Sequence, residues 1–237
     1  MNPFFAEFFG TAIIIVFGSG VVANVLLNKT KGNNSGWIVI SCGWAVGVFT
    51  GVLIAAPFSG AHLNPAVSLA LAIAHKFSWS LVPVYVSAQI LGAMFGSTLV
   101  WLAYKKHFDA TPDGDAKLAI FCTSPNIRSY WYNVITEIIG TYVLSLAVLY
   151  MAQPEVGLGA LNALPVALVV LGIGLSLGGP TGYAINPARD LGPRIMHFLL
   201  PIPDKRDSDW RYSWVPILGP VLGATCAAVM FLIFQGS

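Results

Sequence analysis

Six apolar stretches, each roughly 20 residues long, constrain the fold of this chain more than any other feature. They cover about Phe4–Leu27, Trp37–Ala56, Leu81–Tyr104, Trp131–Met151, Gly157–Leu177 and Trp214–Phe234. A helix of roughly 20 mostly apolar residues spans the hydrocarbon core of a bilayer. Charged residues make up only 9% of the chain, against roughly 25% in soluble domains, so most of the surface must face lipid. The pattern predicts an all-α membrane protein with six transmembrane helices.

Two further apolar segments, Asn64–Ala74 and Asn186–Leu200, are too short to cross a membrane. Each begins with the same tripeptide, formed by Asn64, Pro65 and Ala66 in the first and by Asn186, Pro187 and Ala188 in the second. Asn is a favoured helix N-cap, and Pro is favoured at the first helical position. Each tripeptide therefore predicts a re-entrant half-helix, preceded by a Gly-containing extended stretch at 59–62 or 181–184. Because irregular backbone at membrane depth is tolerated only inside protein or beside a wet cavity, these loops are the predicted functional site.

The chain also repeats its own landmarks in the same order. Residues 6–11 match residues 136–141, the two Asn-Pro-Ala tripeptides match each other, and Gly92 and Gly96 match Gly219 and Gly223. Each half holds three spans, an odd number, so the second half must enter the membrane inverted, and such repeats place their site near the midplane. We expect one membrane domain over 1–237, with repeat one at about 1–108, a connecting loop at about 109–128 and repeat two at about 129–237.

Several other classes of function lack the residues that they require. A net charge of +2 without a long basic run argues against nucleic-acid binding. The cysteines Cys42, Cys122 and Cys226 lack metal-ligand spacing, and the sequence offers no nucleophile–base pair, so we expect neither an enzyme nor a bound cofactor or metal. A secondary transporter also uses inverted repeats and broken helices, but it would need a coupling-ion site that the spans do not offer.

Residues 59–67 (Ser-Gly-Ala-His-Leu-Asn-Pro-Ala-Val) and 181–190 (Thr-Gly-Tyr-Ala-Ile-Asn-Pro-Ala-Arg-Asp) resemble the two signatures of the aquaporin superfamily, the major intrinsic proteins. The resemblance covers essentially the whole chain, and Asp190 is typical of the aquaglyceroporins and bacterial glycerol uptake facilitators. It implies an aquaporin-like fold and a homotetramer with one pore per subunit. It also implies a passive channel that conducts glycerol and similar small neutral solutes, with water, while excluding ions and protons. A mainly water-selective aquaporin is the alternative.

The resemblance also assigns a selectivity filter at the narrowest part of the pore. The four filter positions fall on Trp44, Gly174, Tyr183 and Arg189, although Gly172 could replace Gly174 after a small register shift. Trp44 and Tyr183 would offer an apolar corner to the carbon edge of a polyol, while the guanidinium of Arg189 would donate to its hydroxyls. Asp190 is expected to be a structural partner as well as a marker of the subclass.

Backbone carbonyls of the two loops are expected to line this pore. The resemblance assigns that role to Gly60, Ala61 and His62 in the first loop and to Gly182, Tyr183 and Ala184 in the second. The side chains of Asn64 and Asn186 would donate amide N–H groups at the centre. There the positive ends of the two half-helices would disfavour cations and hydronium, together with Arg189, as in aquaporin-type pores generally.

Three titratable residues are expected to brace the loops. Glu7 and Glu137 occupy matched repeat positions, which favours buried carboxylates that accept N–H groups from the loop beside each half-helix. A position at the membrane interface is the alternative for both glutamates. His62 is expected to brace the first loop, because the sequence offers no second ligand for a metal-binding role.

Loop charges and the resemblance disagree about orientation. The loops 28–36, 105–130 and 201–213 hold most of the Lys and Arg residues, and the positive-inside rule alone would put them in the cytoplasm. The resemblance implies the opposite arrangement, with both termini in the cytoplasm. Because the positive-inside rule is statistical, we follow the resemblance. We expect a multi-pass protein of the cell membrane, surrounded by lipid, whose termini are cytoplasmic.

Overall fold

Helices form the regular secondary structure of the protein, which the computed structural model describes for residues 1–151 and 159–235. Within these ranges no strand occurs. The α-helices are α1 (Pro3–Leu26), α2 (Trp37–Ser59), α3 (Pro65–Ile73), α4 (Val82–Ala103), α5 (Lys105–Asp109), α6 (Gly114–Phe121), α7 (Tyr130–Tyr150), α8 (Leu164–Leu177), α9 (Pro187–Leu199) and α10 (Val215–Gln235). Short 3-10 helices at Trp79–Leu81 and Gly159–Ala163 precede α4 and α8.

Five of these helices are long and apolar enough to cross a membrane, namely α1, α2, α4 with its preceding turn, α7 and α10. They match five of the six predicted spans, and the helical membrane fold expected from the sequence is confirmed. Helix α1 packs against α2 and α4, while α7 packs against α8 and α10. Each repeat therefore builds the same group of three helices around its first helix.

The fifth predicted span, Gly157–Leu177, differs from the prediction because only part of it is α-helical. Gly157 lies outside the described residues, the chain forms a 3-10 helix up to Ala163, and α8 itself has 14 residues. Pro165 lies in the first turn of α8, and proline disfavours a helix that continues through it from the preceding turn. At usual helical rises α8 covers about 21 Å and the 3-10 turn about 10 Å, which together suffice to span the bilayer core.

The two half-helices are α3 and α9, with 9 and 13 residues. Each begins at the predicted proline, and the preceding asparagine caps it. The side chain of Asn64 accepts the N–H of Ala66 at 2.9 Å, and that of Asn186 accepts the N–H of Ala188 at 3.1 Å. At 1.5 Å per residue the two helices are about 14 and 20 Å long, so they cover roughly half and two thirds of a bilayer core about 30 Å thick, and neither can cross it.

The connecting segment between the repeats holds more structure than the loop predicted for 109–128. Helix α6 lies inside it, and Asp113 caps α6 by accepting the N–H groups of Asp115 and Ala116 at 2.8 and 3.1 Å. Helix α6 packs against α1 and α9. Its Lys117 is fully buried and donates to the carbonyl of Pro203. A helix of eight residues is too short for a clear periodic pattern, and tertiary contacts stabilise it instead.

Glycines of the repeated Gly92, Gly96 and Gly219, Gly223 pattern let the first helix of each repeat pack closely against the last. A Cβ added at Gly92 of α4 would lie 2.2 Å from the carbonyl oxygen of Phe8 in α1. A Cβ added at Gly223 of α10 would lie 2.4 Å from the carbonyl oxygen of Ile138 in α7. Small residues allow helix backbones to approach in this way inside membranes. The repeated glycines of the sequence therefore mark close helix contacts in both repeats.

We expect Gly92→Val to destabilise the protein, because the new side chain overlaps a backbone carbonyl that cannot move without separating α1 from α4. Overpacking of this kind costs about 1–3 kcal/mol. Gly20→Val is the matched control, because the atom nearest to its added Cβ is 4.0 Å away, on Val100. Thermal unfolding in detergent should show a lower melting temperature for Gly92→Val only. Equal melting temperatures for the two variants would contradict the packing account.

Candidate functional site

Both loops before the half-helices contain left-handed backbone at matched positions. The φ angles in the first loop are 79° at Gly60, 54° at Ala61 and 52° at Leu63, and those in the second are 81° at Gly182, 38° at Tyr183 and 42° at Ile185. The stretches at 59–62 and 181–184 are therefore not simply extended, as the sequence predicted. Left-handed backbone costs a residue other than glycine about 1–3 kcal/mol, so surrounding contacts must hold it in place.

Glu7 of α1 supplies those contacts for the first loop. One carboxylate oxygen accepts the hydroxyl of Ser59 at 2.6 Å and the N–H of His62 at 3.0 Å. The other accepts the N–H of Leu63 at 2.7 Å and the side-chain amide of Gln89 at 2.8 Å. Two successive backbone N–H groups thus converge on one buried carboxylate. Backbone that alternates between right-handed and left-handed φ/ψ values produces such an anion-binding nest.

Glu137 of α7 does the same for the second loop. One oxygen accepts the hydroxyl of Thr181 at 2.7 Å and the N–H of Ala184 at 3.0 Å, and the other accepts the N–H of Ile185 at 2.8 Å. Ser59 and Thr181 thus play the same part in the two loops. Sequence reasoning missed both hydroxyls, although their matched distance from the Asn-Pro-Ala tripeptides is a signal that could have found them.

These hydrogen bonds decide where the loop carbonyls point. In a trans peptide the C=O lies opposite the N–H, and the described residues contain no cis peptide bond. Since the N–H groups of His62 and Leu63 point at Glu7, the carbonyls of Ala61 and His62 point away from it. The same reasoning turns the carbonyls of Tyr183 and Ala184 away from Glu137. All four residues line one cavity of about 910 Å³, so these carbonyls are available to a molecule inside it.

The two asparagine caps meet through reciprocal hydrogen bonds. The side-chain amide of Asn64 donates to the carbonyl of Ile185 at 2.8 Å, and that of Asn186 donates to the carbonyl of Leu63 at 2.8 Å. The N-termini of α3 and α9 therefore face each other at the middle of the fold. Each amide nitrogen carries two N–H groups, so one from each cap remains for a molecule in the cavity that both residues line.

Three of the four predicted filter residues come together at the cavity wall, namely Trp44, Tyr183 and Arg189. The guanidinium carbon of Arg189 lies 4.2 Å from the centre of the Trp44 ring. Its terminal nitrogen donates to the carbonyl of Gly182 at 3.3 Å, so this carbonyl already has a protein partner. The arginine is thus held between an aromatic face and a backbone acceptor, and only 8% of its surface is exposed.

The fourth predicted filter residue, Gly174, lies behind the ring of Tyr183. A Cβ added at Gly174 would be 2.9 Å from Cζ of Tyr183, so the phenol ring occupies the space that a side chain at position 174 would need. Gly172, the other position considered, has no atom within 4 Å of an added Cβ. Of these two glycines, only Gly174 therefore contacts the other predicted filter residues.

Gly18 of α1 is a further residue that the sequence did not reveal. A Cβ added there would lie 2.2 Å from Cε3 of Trp44. The indole can thus occupy its place beside Arg189 only because position 18 has no side chain. No pattern in the sequence marks this glycine, because its role depends on how closely α1 and α2 approach.

Asp190 and Arg194 form a buried ion pair that fixes the first turns of α9. One oxygen of Asp190 accepts from Nε of Arg194 at 2.8 Å, and the other accepts the N–H and hydroxyl of Thr123 at 2.7 and 2.6 Å. Arg194 also donates to the carbonyls of Thr123 at 3.0 Å and Ser208 at 2.8 Å. The pair therefore ties the half-helix that carries Arg189 to the connecting segment and to the loop after α9.

His62 contacts the first half-helix and its neighbours. Its Nδ1 lies 3.0 Å from the hydroxyl of Ser68 in α3, and its ring packs against those of Phe77 and Tyr85 at 4.4 and 4.8 Å between centroids. Ser68 also receives a hydrogen bond from Gln89 at 3.1 Å. Within residues 1–151 and 159–235, no group of three or more His, Cys, Asp and Glu side chains is arranged to hold a metal ion.

We expect Glu137→Gln to destabilise the second loop. A glutamine can accept with only one of its two terminal atoms, so its NH₂ would face a backbone N–H that then has no acceptor. A buried donor without a partner costs about 1–3 kcal/mol, which should lower the melting temperature in detergent. Thr136→Val is the control, because the hydroxyl of Thr136 bonds only to its own helix, at the carbonyl of Tyr132. An unchanged melting temperature for Glu137→Gln would show that the carboxylate does not hold the loop.

Comparison with known proteins agrees with this geometry. The "Probable glycerol uptake facilitator protein" of Thermotoga maritima is 55% identical over 231 residues, which cover 98% of each chain. The "Glycerol uptake facilitator protein" of Streptococcus pneumoniae R6 is 50% identical over 238 residues, covering 99% of this chain and 100% of that protein. The X-ray structure of the aquaglyceroporin from Plasmodium falciparum superposes with a TM-score of 0.84 at 33% identity, covering 96% of this chain and 93% of that one. A family model described as major intrinsic protein matches residues 1–231, and the chain therefore belongs to the major intrinsic protein family.

Proposed function

We propose that this protein is a passive channel, not an enzyme, and that it conducts glycerol and similar small neutral solutes, with water. The observation that carries the proposal is that the two asparagine caps meet in a single cavity, beside loop carbonyls that point away from Glu7 and Glu137. A solute that enters a narrow tube must lose its water, and these groups replace the lost hydrogen bonds in sequence. Each contact is weak enough to be released at the next step, which conduction requires.

The lining of the cavity matches a molecule with one polar and one apolar edge. Backbone carbonyls and the caps Asn64 and Asn186 provide the polar side, and aliphatic side chains of α2 and α8 provide much of the rest, among them Val48, Val52 and Val166. Glycerol has hydroxyls along one edge and carbon along the other. Water can use the polar side alone, so it passes through the same path.

We further propose that Trp44, Gly174, Tyr183 and Arg189 form the selectivity filter. The guanidinium of Arg189 presents several fixed donors to hydroxyls, while the two aromatic rings face the carbon edge. The Asn-Pro-Ala residues (Asn64, Pro65, Ala66, Asn186, Pro187 and Ala188) form the central constriction. The helix N-termini and Arg189 create a positive electrostatic potential along the path, which excludes cations and protons. Anions are excluded because they would lose their hydration in a narrow apolar tube.

The similarity to the facilitators favours glycerol, while one structural feature favours the mainly water-selective alternative. The ring of Tyr183 fills the space beside Gly174, so the filter is narrower than a bare glycine suggests. A flux measurement on both solutes separates the two functions.

Proteoliposomes that contain the purified protein should show glycerol uptake without any proton or sodium gradient and with low activation energy. Empty liposomes are the control. Glycerol entry that requires a gradient would contradict the channel mechanism. Rapid water flux with no glycerol flux would contradict the glycerol proposal and support the mainly water-selective alternative.

Gly174→Ala should lower glycerol flux more than water flux, because the methyl group displaces Tyr183 towards the cavity. A rise of about 1.4 kcal/mol in the barrier to glycerol at the filter would lower its flux roughly tenfold. Gly172→Ala is the matched control, since its methyl group meets no atom within 4 Å. If Gly172→Ala has the larger effect, position 172 belongs to the filter instead.

We also propose that the chain acts as one domain of two repeats and assembles as a homotetramer in the lipid of the cell membrane, with both termini in the cytoplasm. The start of α7 offers an apolar surface that a neighbouring subunit could cover, since Trp131 is 80% and Tyr132 is 73% exposed in the single chain. Cross-linking in membranes should give four-subunit species, and protease should reach terminal tags only in inverted vesicles. Cleavage of the tags on intact cells would show that the termini are outside and would contradict the proposed orientation.

A further inference from the structure

Three side chains of α2 share one face next to the filter. Trp37, Ser41 and Trp44 lie four and three residues apart, a spacing that places side chains in one row along a helix. Trp44 lines the cavity and contacts Arg189. Trp37 and Ser41 are not among the cavity-lining residues, and both lie against the far side of Tyr183.

Trp37 stands at a span end, where a tryptophan usually serves as an anchor at the membrane interface. Its indole N–H instead donates to the carbonyl of Gly174 at 2.8 Å. Its ring meets that of Tyr183 edge to face, with 5.8 Å between centroids and 78° between planes. A Cβ added at Gly178 would lie 2.6 Å from both rings. The two rings therefore pack against Gly178. Trp37 of α2 thus contacts both α8 and the ring of Tyr183.

Ser41 lies at the other end of the Tyr183 side chain. A Cβ added at Gly174 would be 3.1 Å from the phenol oxygen of Tyr183 and 3.2 Å from the hydroxyl oxygen of Ser41, so both hydroxyls approach the same point. Both oxygens are buried, and in the described part of the chain neither makes a hydrogen bond. Because buried hydroxyls rarely remain unpaired and these two meet beside Gly174, a small shift of either side chain makes each the other's partner.

This arrangement explains how a tyrosine can present an apolar surface to a solute. Its hydroxyl is enclosed behind the filter, beside Ser41 and Gly174, while its ring faces the cavity. If Ser41 lacked its hydroxyl, the phenol would be a buried polar group with no partner. The nearest polar surroundings are inside the cavity, so the ring would turn into the path of the solute.

We propose that Ser41 and Trp37 are positioning residues that hold Tyr183 back from the pore and so set the solute size that the filter admits. The proposal rests on the function proposed above, because it assigns these two residues to the same filter. Neither side chain needs to touch the solute. Their effect passes through the ring of Tyr183 alone.

The test is a double-mutant cycle on the ratio of glycerol to water permeability in proteoliposomes. Ser41→Ala should lower this ratio by about threefold to tenfold, the equivalent of one hydrogen bond. Tyr183→Phe removes the hydroxyl that needs a partner and serves as the second background of the cycle, whatever its own ratio. Adding Ser41→Ala to Tyr183→Phe should therefore lower the ratio no further. Trp37→Phe, which loses the bond to the carbonyl of Gly174, should lower the ratio as Ser41→Ala does.

Thr50→Val is the matched control on α2, because the exposed hydroxyl of Thr50 bonds to its own helix at the carbonyl of Val46. A variant that merely folds less well loses water and glycerol flux together and leaves the ratio unchanged. The proposal fails if Ser41→Ala leaves the ratio unchanged, or lowers it equally in the Tyr183→Phe background. If the wild-type protein passes water but no glycerol, the proposed function is what fails. The cycle is then read on water permeability, where an equal loss from Ser41→Ala in the wild-type and the Tyr183→Phe backgrounds overturns the positioning role.

Discussion

Two buried carboxylates, on Glu7 and Glu137, satisfy the backbone N–H groups of loops that would otherwise be unstable inside a bilayer. Non-helical backbone at membrane depth needs a partner for every polar group, and each glutamate accepts two successive N–H groups of its loop. Because trans peptides point their carbonyls the other way, the same bonds create the polar wall of the cavity. The left-handed backbone, the half-helices that follow and the reciprocal asparagine bonds all depend on this arrangement.

The proposed filter region is supported from two directions, and each support comes from a different part of the chain. Gly18 of α1 leaves room for the indole of Trp44. The ion pair of Asp190 and Arg194 ties α9 to the connecting segment through Thr123. Removing one member of such a buried pair would leave an uncompensated charge, which is strongly destabilising. Arg189 lies in the same helical turn, directly before Asp190.

Much of this architecture can be predicted from the sequence, because its signals are local. Apolar length marks the spans, Asn-Pro-Ala marks the caps, and the matched positions of Glu7 and Glu137 mark the buried carboxylates. The rest depends on distances between helices. Nothing local favours left-handed backbone at Leu63 or Ile185, and tertiary hydrogen bonds impose it. Helix α6 was missed for a related reason, since its stability comes from packing against α1 and α9.

The reciprocal asparagine bonds have a consequence for how the protein is made. Asn64 and its partner Ile185 are 121 residues apart, and Asn186 and Leu63 are 123 apart. Ribosomes add roughly 5–20 residues per second, so the first half-helix exists for on the order of ten seconds before its counterpart leaves the ribosome. During that interval the newly inserted first repeat carries an amide and a carbonyl that only the later half can satisfy. Biogenesis must therefore shelter an incomplete membrane intermediate until the second repeat arrives.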